Sequence, residues 1–253
     1  MEEFFLSLIT GIFIGGTAGF LGSLMLTRRM ALVAGPLGHL TLPGIALALL
    51  YGFDVSLGAL PFLALGIILI WVFEIRTKLP MEALTAIVFA SGVALAFLIL
   101  PSEELETALI GDISQIGFAG AVVSIILSLL LFFLIRRILS KIILINISED
   151  LAKTEGINIK KYNFLYLIAI ATIVALGVKL VGGLLTAALV AIPAASARNF
   201  SQSLNQYTSL AAIIGILSCI FGISLFKITG LPAGSLIILA STFVFLISLI
   251  YKK

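Results

Sequence analysis

Charge is scarce in this chain. Of its 253 residues only 11% are Asp, Glu, Lys or Arg, while 61% are hydrophobic. A soluble domain carries about 25% charged residues, so that class is excluded, and a mean hydropathy of +1.28 points to a protein dissolved in lipid. Cysteine is scarcer still. Cys219 stands alone, which rules out a disulfide or a cysteine-rich metal site within one chain. No GxxxxGK[ST] phosphate loop occurs, so the chain does not hydrolyse ATP in the usual way, and neither a Ser/His/Asp set nor an HExxH pair stands out for a membrane hydrolase. The net charge of +3 and pI near 9.1 arise from loop bias and give no case for nucleic acid. Glu2 and Glu3 occupy the place where a cleavable leader would carry Lys or Arg, so the first hydrophobic run is expected to be retained.

What is abundant is long hydrophobic runs. Formal charges divide the chain into nine: 5–27, 30–53, 55–73, 83–102, 113–135, 162–178, 180–197, 199–226 and 228–251. About 20 apolar residues cross the hydrocarbon core as a helix. The fold class is therefore all-α integral membrane, a polytopic bundle of nine helices, or eight if one of the short pair 162–178 and 180–197 is re-entrant. No soluble domain, repeat or low-complexity segment interrupts residues 1–253, which read as one transmembrane domain.

The longest polar interruption is ISEDLAKTEGINIKKYN, Ile147 to Asn163. Ser148 is placed to cap a short helix, Glu149 and Asp150 to complement its positive end, and Gly156 to stop it in the left-handed conformation. The stretch reads either as an ordered connector or as a docking loop. With this loop in the cytoplasm, nine alternating spans put 13 of the 15 Lys and Arg inside, leaving only Lys179 and Lys227 outside. That asymmetry follows the positive-inside rule. The outer side collects Asp54, Glu103, Glu104, Glu106 and Asp112, which are either ordinary solvated loop charge or a cation-concentrating mouth.

Three stretches carry further information. Gly11, Gly15, Gly19 and Gly22 give the first helix a face that another helix can approach closely. In the second run, the only histidine, His39, lies between Pro36 and Pro43, which are expected to break or kink the helix around it. Irregular backbone at membrane depth is tolerated only inside protein or beside a water-filled cavity, so this run is a pathway candidate. His39 is then either an interhelical hydrogen-bonding group or a metal ligand. Gly183, Ala187, Ala191 and Ala195 form a ladder of small residues suited to tight packing, which Pro193 is expected to interrupt.

Four segments together resemble the membrane permeases of ABC-type importers for zinc, manganese and iron. Arg28–Ala48 is similar to their RRMALVGDALSHAVLPGIALA segment, Glu149, Ala152 and Gly156 to their E-x-x-A-x-x-x-G loop, Lys179–Phe200 to G-x-L-L-x-x-A-L-x-x-I-P-A-A-x-A-R, and Gly230–Leu249 to an LPSGP-type close. The resemblance covers nearly the whole chain. It implies a multi-pass permease of a prokaryotic cytoplasmic membrane, not itself an enzyme. It implies a homodimer served by cytoplasmic ATPase subunits and an extracytoplasmic metal-binding protein, with no permanent cofactor and a divalent metal ion as cargo. The site residues it implies are His39 and Glu82 for the metal, and Glu149, Leu151, Ala152 and Gly156 for coupling to the ATPase. Two departures stand out: Gly35 and Gly38 replace the family's Asp and Ser before the histidine, and Glu82 stands where Asp is common. Another small solute as cargo, or a secondary transporter driven by an ion gradient, are the alternatives. The latter usually shows several intramembrane charges, and few are found here away from the loops.

Overall fold

The structure is a computed structural model that describes residues 2–28, 30, 34–52, 55–77, 79–99, 117–183 and 185–250. The outer acidic residues Asp54, Glu103, Glu104, Glu106 and Asp112, and the basic residues Arg29, Lys78, Lys252 and Lys253, lie outside the described residues. Among the described residues every regular element is a helix: α1 (Glu2–Thr27), α2 (Ala34–Leu40), α3 (Leu42–Tyr51), α4 (Val55–Arg76), α5 (Met81–Ile99), α6 (Phe118–Ile147), α7 (Glu149–Thr154), α8 (Ile159–Val181), α9 (Thr186–Phe200), α10 (Leu204–Thr229) and α11 (Ala233–Ile250). Six of them (α1, α4, α6, α8, α10 and α11) are long and apolar enough to cross a membrane. The α2–α3 pair, α5 and the 15-residue α9 account for the other three hydrophobic runs.

The hub of the bundle is α1, which packs against α6, α8, α9 and α10. Its glycine face makes this possible. A Cβ at Gly15 would sit 2.6 Å from the carbonyl oxygen of Gly215 on α10 and 2.5 Å from the sulfur of Cys219, and a Cβ at Gly22 would collide with the carbonyl of Val190 on α9. Close backbone approach replaces the hydrophobic driving force that helices lack in lipid. The second small-residue ladder behaves differently. The buried face of α9 is Thr186, Leu189, Val190, Pro193, Ala194, Ser196 and Ala197, whereas Ala187, Ala191 and Ala195 are only half-buried. Nor does Pro193 interrupt the helix, which runs on to Phe200. The missing N–H deprives one carbonyl of a partner, and a membrane helix wedged among neighbours tolerates that.

The break in the second run falls at Thr41 rather than at either proline. Thr41 donates its hydroxyl to the carbonyl of Gly38, while Pro36 lies near the start of α2 and Pro43 opens α3. Both prolines therefore occupy early helical positions, where an N–H is not needed.

Helix ends assign the two faces. On one face Asn146 Nδ2 donates to the carbonyl of Thr27, Lys141 Nζ donates to the hydroxyl of Tyr162, and Arg198 lies beside Thr27. On the other, Lys227 stacks 4.2 Å from the centre of the Phe4 ring, and Lys179 Nζ would be 2.9 Å from a Cβ at Gly120. The described basic residues thus segregate as the positive-inside reading requires. Helix α6 has 30 residues and so runs about 45 Å at 1.5 Å per residue, well beyond a core of roughly 30 Å. Its C-terminal half carries Arg136, Arg137 and Lys141 and leads into α7.

Candidate transport pathway and coupling site

His39 occupies the last turn of α2, half-buried, with its ring 5.6 Å centre to centre from Phe89 on α5. The residue before it explains one departure from the family pattern. A Cβ at Gly38 would lie 2.7 Å from the carbonyl oxygen of Gly183, in the turn between α8 and α9, so the backbone itself fills the space a serine would need. This contact anchors the loop end of α2, and with it the imidazole, to the centre of the bundle.

Glu82 lies in the first turn of α5, exposed, and lines a cavity of about 720 Å³ at the end of the bundle that carries α7. Phe89, the ring neighbour of His39, is seven residues further along the same helix, about 10 Å at 1.5 Å per residue. The two carboxylate and imidazole groups are therefore at different depths, and a single ion shared between them is not what this arrangement offers. Among the described residues no three His, Cys, Asp or Glu side chains come together in a way that could hold a metal ion.

The cavity also contains a group that division of the sequence at its charges passed over. Glu74, in the last turn of α4, accepts a hydrogen bond of 2.8 Å from Asn163 Nδ2, and Asn163 Oδ1 in turn accepts one of 3.1 Å from Arg28. Asn163 is buried, and the Arg28 guanidinium stacks 5.0 Å from the centre of the Tyr166 ring. A neutral amide thus bridges a cation and an anion and ties the ends of α1, α4 and α8 together. Polar side chains at a span's end inside an apolar run were the available signal, since hydrophobic segments rarely keep such groups without a partner.

The loop at 147–163 forms the helix its sequence calls for. Ser148 Oγ accepts from Leu151 N at 3.2 Å, Gly156 has φ of +70°, and the N–H groups of Gly156 and Ile157 close the end on the carbonyls of Lys153 and Ala152. Asn158 then caps α8 by accepting from Lys161 N. Ala152 is fully buried against the bundle, Leu151 is 48% exposed, and Glu149 faces the same cavity as Glu82 and Glu74. Of the residues expected from sequence to couple, Glu149 alone lines this cavity, together with Glu82, which is expected to meet the cargo.

Comparison with known proteins identifies the family and the fold. The model of the ABC 3 transport family matches residues 1–252. The high-affinity zinc uptake system membrane protein ZnuB of Haemophilus influenzae is 31% identical over 263 residues, covering 100% of this chain and 98% of that protein. The manganese import system permease protein ScaB of Streptococcus gordonii is 28% identical, covering 96% and 88%. Among solved structures, a chain of PsaBC from Streptococcus pneumoniae in complex with a Fab superposes with a TM-score of 0.80 at 26% identity, covering 96% of this chain and 89% of that one. With a match across all but the final residue, this chain belongs to the ABC 3 transport family.

Proposed function

We propose that this chain is the membrane-spanning permease subunit of an ABC importer that moves a divalent metal, zinc, manganese or iron(II), across the cytoplasmic membrane. The observation that carries the reading is the family match over residues 1–252, on a chain whose hydrophobic runs and basic residues alternate as a multi-pass permease requires. The protein is a transport subunit rather than an enzyme, and ATP is hydrolysed in a separate chain. A homodimer receives the metal from an extracytoplasmic binding protein and docks two ATPase subunits on α7 through Glu149, Leu151, Ala152 and Gly156.

His39 and Glu82 contact the metal in succession. Neutral imidazole is a ligand for all three candidate metals, and carboxylate suits manganese and iron(II). The separation of about 10 Å along α5 favours hand-over from one group to the next. In a dimer, two His39 side chains converge if their helices lie beside the symmetry axis. Glu82 is a carboxylate at the cytoplasmic mouth, where an arriving cation regains water.

The test is metal accumulation in cells lacking this gene and then regaining it. His39→Ala should lower uptake of the metal at normal protein level, and His39→Gln should preserve packing against Phe89 better than transport. Full metal-specific uptake by both variants would make His39 a packing residue and remove it from the pathway.

A further inference from the structure

The cavity between α7 and the α4–α5 turn has two chemically distinct walls. One, on the α4–α5 side, carries an apolar strip of Ile75, Leu79 and Pro80 beside Glu74, Thr77 and Glu82, with Leu79 50% exposed. The other is charged, formed by Glu149 and Lys153 of α7. Single exposed leucines are common and need no explanation. Leu79 differs in how it is held. Thr77 donates its hydroxyl to the carbonyl of Phe73 at 2.8 Å, its N–H donates to the same carbonyl, and its hydroxyl oxygen accepts from Leu79 N at 3.4 Å. The carbonyl of Pro80 then accepts from the N–H groups of Ala83 and Leu84, starting α5. The turn is thus built from local hydrogen bonds on both sides of Leu79, and it holds an apolar side chain three residues beyond the end of the candidate span, lining a cavity that also contains Glu149, Lys153 and Lys160.

The fold repeats this device in α7, a short capped helix that presents Leu151 to water. Glu149 and Lys153, four residues apart on one side of α7, face the cavity. Leu151, halfway between them in sequence, points away. The bundle therefore offers two ordered apolar projections on one cytoplasmic face, with a polar recess between α7 and the second of them.

We propose that Thr77, Leu79 and Pro80, between α4 and α5, form a second seat for the partner ATPase, which inserts an amphipathic loop or helix end into the cavity. Its apolar side lies on Ile75, Leu79 and Pro80, and an acid–base pair on its other side meets Lys153 and Glu149. The inference rests on α7 being the first contact. Its consequence is mechanical: a partner gripping both seats moves α4 and α5, the helices that carry Glu74 and Glu82, together with α7.

The experiment is photo-crosslinking in the assembled transporter, purified with its own ATPase, with p-benzoylphenylalanine in place of Leu79, of Leu151 or, as a control on the opposite face, of Ile228. Adducts with the ATPase chain from positions 79 and 151, and none from 228, are expected. Leu79→Asp should lower the ATPase retained on the permease about tenfold, and Leu79→Met should restore it. An adduct from 151 without one from 79, together with full retention by Leu79→Asp, overturns the second seat while leaving α7 in place. An adduct from 79 alone supports the seat and places the failure on α7. Adducts from neither overturn both.

Discussion

The left-handed backbone at Gly156 offers a sharp test of whether α7 acts as a rigid coupling element. Its φ is +70°, and a Cβ built there meets nothing within 4 Å. Substitution therefore changes backbone energetics without a steric clash in the surroundings. An ordinary L-residue in this conformation costs roughly 1–2 kcal/mol, and a β-branched one more. Helix α7 has only six residues, far below the length at which helices persist alone, and it depends on its caps, with the Ser148 side-chain cap contributing about 1 kcal/mol. A strain of about 2 kcal/mol at Gly156 is thus comparable with everything that holds the helix, and should lower its folded population by a factor on the order of 30. Gly156→Val should reach the membrane at normal level, because the bundle core is untouched, but should lose most of its stimulation of ATP turnover in proteoliposomes. Gly156→Asn is the decisive control, since asparagine is close to valine in size yet tolerates the left-handed region. It should retain most of the coupling. Equal loss in both variants would refute the conformational argument, and equal retention would make the loop a connector.

Other expectations follow from packing and topology. Asn163→Leu leaves Arg28 and Glu74 without their shared bridge, at about 1–3 kcal/mol for each group left unsatisfied. It should lower the detergent-phase Tm, while Asn163→Gln should lower it less. Gly38→Ser places a side chain against the carbonyl of Gly183 and should cost about 1–3 kcal/mol by overpacking. It should reduce metal uptake by displacing His39, and full uptake with an unchanged Tm would show that the contact yields freely. For topology, single cysteines at Lys153 and Ile228 in a Cys219→Ala background should label from opposite sides of the membrane, and labelling of both from outside would invert the orientation.

The features legible in the sequence were those decided within a few residues of one another. Hydrophobic run length gave the helices, Ser148 and Gly156 marked the ends of α7 by local backbone chemistry, and lopsided Lys and Arg led to an expected orientation. The motif around His39 and the loop pattern at Glu149, Ala152 and Gly156 pointed to the family before any contact was known. Tertiary structure decided what those residues meet. The Arg28–Asn163–Glu74 chain joins positions 135 and 89 residues apart, and Gly38 meets Gly183 across a similar distance. No periodicity encodes such pairings, because they depend on which helix faces which. The same reason separates Glu82 from His39 in depth, places Glu82 in one cavity with Glu149, and buries Val190 and Ala194 of α9 rather than the Ala187–Ala191–Ala195 face. A small-residue ladder states that a close approach is possible, and only the packed bundle determines which helix takes it.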